Sequence, residues 1–150
     1  MVVLSLLAIL TSFFLVSCTK NDNNSSNDMF VVSGSASGSQ VLPPVTGTAT
    51  GNISGSYNRS TNLLSYNITW TGLTGAATSA SFYNGFAGAN GSLVQNTAIT
   101  TSGSTGASVG TMTLTDAQET ALLTGSLYYI VATSAHASGE IRGQMTATAQ

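Results

Sequence analysis

Few residues in this 150-residue chain are equipped for acid–base or nucleophilic chemistry. His136 is the only imidazole, in the turn-like stretch Ser134-Ala135-His136-Ala137-Ser138-Gly139. A catalytic base needs an orienting acid and a nucleophile within reach. Glu140 follows four residues later and serines are plentiful, so the partners of a triad exist. There is no G-x-S-x-G elbow to present a nucleophile on a strand–turn–helix, and His136 reads as an exposed loop histidine. Asp116 and Glu119 lie one helical turn apart. Glycoside hydrolysis needs two carboxyls flanking a bond, but helix capping and the helix dipole account for both acids. Glu140 and Arg142 alternate on one strand and project to one face. An ion pair is one arrangement. Arg142 bonding backbone carbonyls at a sheet corner, with its five donors, is another. A ligand-binding role is the third.

Tyr83 and Phe86 flank the Asn84-Gly85 turn and are the candidate ligand-binding residues, a small aromatic platform for a glycan or protein partner. Ordinary core or loop packing is the competing reading. The segment 85–91 is glycine-rich but lacks the G-x-x-x-x-G-K-[ST] pattern of a phosphate loop. Cys18 is the only cysteine, which excludes an internal disulfide and a multi-cysteine zinc site. No catalytic residue, metal or cofactor is assigned.

The composition points the same way. Lys and Arg number 3, Asp and Glu 5, and the net charge is −2. Charged residues make up 5% of the chain, against roughly 25% in an ordinary domain. Nucleic-acid binding requires a basic face that this chain lacks. A disordered acidic tail is not expected, because 42% of residues are apolar and the net charge is small. Ser and Thr together supply 44 of the 150 residues, so a folded surface here is neutral and hydroxyl-rich.

Residues 2–16 form an almost unbroken apolar run, shorter than the ~20 residues of a membrane span and matching the core of a signal peptide. It ends in Leu15-Val16-Ser17-Cys18, which resembles a bacterial lipobox. That resemblance implies cleavage before Cys18 and lipidation of its thiol. No Lys or Arg precedes the run, a departure from the usual basic start. The expected division is a lipoprotein signal peptide at 1–17, a lipidated Cys18 with a flexible tether at 18–28, and a folded domain at 29–150. A multiply acylated cysteine anchors stably without spanning the membrane. The tether, TKNDNNSSND from Thr19, has no apolar residue to bury. Its Lys20-Asn21-Asp22 partly resembles signals that route lipoproteins outward. The expected location is the bacterial cell envelope, lipid-anchored to a membrane and most simply the outer one.

From Met29 onward, short apolar runs alternate with Gly, Asn, Ser and Thr, a pattern of strands and turns. The clearest strand is 64–70, with Leu64, Tyr66, Ile68 and Trp70 on one face. Before it, 48–57 turns Ile53 and Tyr57 inward, and the polar link 58–62 makes the two a hairpin. Further strands are expected at 30–35, 77–83, 106–114, 127–133 and 140–146. Asn84-Gly85 and Asn90-Gly91 mark turns, since both residue types tolerate positive φ. Pro43-Pro44 cannot sit in a central strand. Thr115 and Gln118 form a capping box ahead of a short helix near 116–124, closed by Gly125. Together these elements predict an all-β, immunoglobulin-like Greek-key β-sandwich with one short helix.

Several stretches are similar to the CHRD (chordin-type) domain. They are Ser33-Gly34 with Ser39-Gln40-Val41-Leu42-Pro43-Pro44-Val45; the hairpin 47–51 and 64–73; Leu114-Thr115-Asp116-Ala117-Gln118 through Gly125; and Gly139-Glu140-Ile141-Arg142-Gly143-Gln144-Met145. The last is the most specific, whereas Val41 replaces a usual acidic residue. The resemblance covers about 32–145 and implies an extracytoplasmic sandwich. Many members carry a His-x-His-Gly segment and a further His on a late strand, a set suited to a metal. Here Phe82, Asn84 and Ala132 stand in those positions, so no metal is expected.

The functional expectation is a membrane-anchored extracytoplasmic lipoprotein with a non-enzymatic binding or structural role. Its partners are the membrane, through Cys18, and a protein or glycan. A carbohydrate- or matrix-binding module is the alternative, and a hydrolase or metal-dependent redox protein the more distant one.

Overall fold

The computed structural model describes residues 28–150. The expected signal peptide, Cys18 and the tether up to residue 27 lie outside the described residues. Along the chain run β1 (Met29–Ser37), a 3-10 turn (Gly38–Gln40), β2 (Thr50–Asn58), β3 (Leu63–Thr71), β4 (Ala77–Asn84), β5 (Ser92–Thr97), β6 (Gly106–Thr113), α1 (Asp116–Leu123), β7 (Leu127–Thr133), β8 (Ile141–Gln144) and β9 (Thr146–Ala149). The strand order is β5-β4-β7-β8-β1-β2-β3-β6, with β9 also on β1, and the ladders are antiparallel. The all-β architecture with one short helix is therefore as the sequence predicts. β6 returns to pair with β3 after the β4–β5 hairpin, a Greek-key crossing.

The layers are not separate sheets. β8 pairs with β7 on one side and with β1 on the other. The two ends of the sheet also approach, where Ser108 Oγ lies 2.7 Å from the Ala98 carbonyl and 2.8 Å from Thr97 Oγ1. The sandwich is thus rolled into a near-barrel, which reduces its exposed edges.

The alternation in β3 holds: Leu64, Tyr66, Ile68 and Trp70 are buried, as are Ile53 and Tyr57 of β2. Outward positions in the paired strands carry Ser33, Ser54, Asn67 and Thr111, all exposed, as the hydroxyl-rich composition predicts. The capping box forms, Thr115 Oγ1 accepting from the Gln118 backbone N–H while Gln118 Oε1 accepts from that of Thr115. Ala121 and Leu122 dock the helix on the core, and Gly125 closes it at φ +72°. Arg59 and Glu119, read as a turn residue and a dipole partner, form the one salt bridge among the described residues, at 2.7 Å. Exposed pairs contribute about 0–1 kcal/mol, so its effect is to orient the helix against the β2–β3 hairpin.

Four points differ from the sequence reading. The single strand expected at 140–146 is two, because the chain breaks at the buried Met145, whose N–H donates to Leu127 O. β5 does not show in the periodicity, since it is an edge strand on β4 with a register shift opposite Phe82 and Tyr83 and no fully buried residue. Neither Gly85 nor Gly91 has positive φ; in that loop the left-handed residue is Gly88. Gly91 is required for a different reason, since a Cβ there would overlap the Asn84 carbonyl. Asp28, assigned to the tether, joins the domain: its carbonyl accepts from Arg59 N–H and its carboxylate from Ser60 Oγ at 2.6 Å.

Candidate functional site

β7 is buried along its whole length. Leu127, Tyr129 and Val131 belong to the main core. The alternate residues Tyr128 and Ile130 face the other way and lie under two connections, 41–45 and 85–91. These connections meet where Asn90 Nδ2 donates to Leu42 O at 3.3 Å, and the Gly91 N–H donates to Tyr128 Oη at 2.9 Å. A strand from a continuous apolar run thus supports a second, smaller packed layer on the outside of the sheet.

That layer is built on a three-membered stack from adjacent strands. Tyr83 of β4 lies against Tyr128 of β7, with ring centroids 5.4 Å apart and planes 14° from parallel. Arg142 of β8 places its guanidinium carbon 3.6 Å from the Tyr128 centroid. Its Nη2 donates to Phe86 O at 3.0 Å, and Gln144 Nε2 donates to Gly85 O at 2.9 Å. The loop carrying Phe86 is therefore pinned by its backbone from below, while the Phe86 side chain remains 64% exposed. Arg142 is buried and its Nη1 has no hydrogen-bond partner. Of the three arrangements the sequence leaves open for Arg142, the bonded carbonyl is the one found.

Glu140 does not pair with Arg142. It is buried, with Oε1 accepting from the Thr74 N–H at 2.7 Å and Oε2 from Thr74 Oγ1 at 2.8 Å and Thr133 Oγ1 at 2.6 Å. Burial alone raises its pKa, but the hydrogen bonds from Thr133 and Thr74 outweigh burial and the net shift is downward. The carboxylate joins the 72–76 connection to the β7–β8 turn. It is held by neutral donors and does not orient the His136 ring. His136 is half-buried rather than exposed as expected, and its backbone N–H donates to Thr133 Oγ1 at 3.3 Å.

Beside the stack runs a cleft in two lobes of about 270 Å³ each. One lobe is lined by Tyr83, Tyr128, Ile130, Asn90 and Gly91, the other by Pro43, Val45 and the 135–139 turn that includes His136. Val41, Leu42 and Ser138 line both lobes, which therefore lie side by side. Tyr83 is half-buried and contributes to its wall. Phe86 stands on the adjoining loop and does not line it. The structure brings Tyr83 together with Tyr128, within the strand expected at 127–133, and with Arg142, for which the sequence left three arrangements open. The two adjacent tyrosines at 128 and 129 could have signalled a strand buried on both faces, since they must point in opposite directions.

Of the positions where the resemblance places histidines, Phe82 packs in the core edge-on to Tyr66, Asn84 is exposed, and Ala132 lies outside the core cluster. Among the described residues no group of three or more His, Cys, Asp or Glu side chains comes together as a metal site.

An antiparallel near-barrel closed by the 139–145 segment, with a loop-covered outer layer, defines the class of protein. The CHRD domain model matches residues 32–145, and the chain belongs to the CHRD domain family. No curated protein and no solved structure was found to match.

Proposed function

We propose that this CHRD-domain chain is a lipoprotein, anchored to the outer membrane of a bacterial envelope through lipidated Cys18, and that its domain binds or organises a partner without catalysing a reaction. Support for the anchor comes from the lipobox-like Leu15-Val16-Ser17-Cys18 and the polar stretch behind it. The observation that carries the binding role is the pinned loop at 85–91. The buried Arg142 and the half-buried Gln144 fix its backbone while an aromatic ring stays in solvent. Folding alone gives no reason to hold an exposed Phe in place, whereas a preorganised anchor loses less entropy on association. Support for a non-enzymatic role comes from the occupied charges. Glu140 is bound by Thr74 and Thr133, Glu119 by Arg59, and Arg142 by Tyr128 and Phe86 O.

Mass spectrometry of the mature N-terminus tests the anchor, with an acylated Cys18 as the first residue expected. An uncleaved or unmodified N-terminus would sink it. Recognition of carbohydrate or matrix is the second reading, and the position of Tyr83 in the cleft wall favours it.

A further inference from the structure

We infer that the cleft between Tyr83 and His136 binds a neutral oligosaccharide chain, with Tyr83 stacking on a sugar ring at one end. This rests on the second reading above, recognition of carbohydrate at the cleft whose wall holds Tyr83, and specifies its ligand. Four observations point to the class. The two lobes lie side by side, sharing Val41, Leu42 and Ser138 and together reaching from Tyr83 to His136, and their combined volume falls in the 300–1,000 Å³ typical of ligand clefts. Its lining contains no carboxylate, Lys or Arg, and His136 is the one imidazole in it, so the wall offers no row of charges to a polyanionic or polycationic chain. Arg142 lies outside the lining, against Tyr128 and bonded to Phe86 O.

The third observation concerns peptides. The floor is formed by β4 and β7, and β7 is paired on both sides. Peptides commonly bind extended by adding to an exposed sheet edge, and this floor offers none. The fourth is the pairing of groups in the wall. An aromatic ring suits the C–H face of a pyranose, and the Asn90 amide and Ser138 hydroxyl suit its hydroxyls. Tyr128 backs Tyr83 and Arg142 backs Tyr128, so the stacking ring is held rigidly from behind.

The test is calorimetric titration of the full-length protein, purified in detergent, with maltohexaose, cellohexaose, xylohexaose and chitohexaose. Binding of at least one is expected, weakened about tenfold or more in Tyr83→Ala by loss of the aromatic contact. Ser138 is exposed and lines both lobes. Ser138→Trp is expected to abolish binding while the unfolding temperature is unchanged, and this variant decides the matter should Tyr83→Ala fail to fold. The inference is overturned by no binding of the four sugars at millimolar concentration. Binding indifferent to these variants overturns it too, as does preference for a polyanionic glycan or an extended peptide. Failure with an acylated Cys18 leaves the anchor standing; an unmodified Cys18 removes the anchor whatever the sugars do.

Discussion

The guanidinium of Arg142 covers Tyr128 at 3.6 Å from the ring centroid, with no carboxylate paired to it. A buried cation is tolerated when its charge and donors find partners. Here the ring face supplies one, Phe86 O a second and Gln144 Oε1 a weaker third at 3.4 Å. The planar guanidinium can meet a ring with its face and a carbonyl with its edge simultaneously, which a Lys ammonium cannot do. Arg142→Lys is therefore expected to cost about 2–4 kcal/mol, with the charge still buried and less well partnered. Arg142→Met keeps apolar packing on Tyr128 and removes both the charge and the unpartnered Nη1. It is expected to be the more stable of the two variants in thermal unfolding, yet to free the 85–91 loop, seen as faster amide exchange there. Equal stability of the two would show that the charge itself contributes nothing.

Glu140 sets the acid limit of the domain. Its folded pKa is lowered from 4.5, so the charged carboxylate favours the folded state. That contribution is complete above the ordinary carboxylate range and is lost as pH falls through the lowered value. The unfolding temperature is expected to drop on acidification below about pH 4.5. In Glu140→Gln the drop is shallower and stability at pH 7 is reduced, by on the order of 3 kcal/mol for the charged hydrogen bonds. A wild-type and variant difference that stays constant between pH 3 and 7 would exclude Glu140 as the titrating group.

Tyr57 and Tyr129 set the alkaline limit. Burial pushes the Tyr57 phenol up to about 12, with help from the Glu119 carboxylate. Burial also raises Tyr129, whose hydroxyl donates to Gly34 O at 3.2 Å. Raised folded values favour the neutral phenols, so this stability is whole below pH 10 and is lost as pH rises towards the folded values. Spectrophotometric titration is expected to show these two phenols ionising together with unfolding. Replacing both with Phe is expected to remove that late step; its persistence would assign it to other tyrosines.

The sequence made the interior of β2, β3 and β7 readable because those residues alternate or run apolar without a break, and burial follows directly. The capping box was readable because its four residues are contiguous. The place of Tyr83 beside a turn, at the end of β4, was legible too. What the sequence could not display is the outer layer. Tyr83 lies on a strand far along the chain from those of Tyr128 and Arg142, and only the order β4-β7-β8 brings the three together. The partner of Glu140 was hidden for a similar reason, since Thr74 is 66 residues away in a connection with no pattern of its own. β5 escaped because an edge strand with exposed residues on both faces carries no period of two.

Gly143 lies in the closing segment where β8 bridges the two halves of the sheet. A Cβ there would come within 2.6 Å of Tyr129 Cε1 and 2.9 Å of Ser35 O. The ring has no room to retreat because Tyr129 is fully buried, and the carbonyl belongs to the paired strand β1. Gly143→Ala is thus an overpacking change, which costs about 1–3 kcal/mol, each kcal/mol lowering the unfolding temperature by roughly 4 °C, where the ranges for smaller and larger domains meet. Gly75, in a loop with nothing within 4 Å of its would-be Cβ and no positive φ, is the control. Gly75→Ala is expected to be neutral or to stabilise by about 0.4–1 kcal/mol through the unfolded chain. Differential scanning calorimetry of the two variants distinguishes a steric requirement at residue 143 from a general intolerance of lost glycine. Equal losses in both would remove the close approach of β8 to Tyr129 as the reason for Gly143.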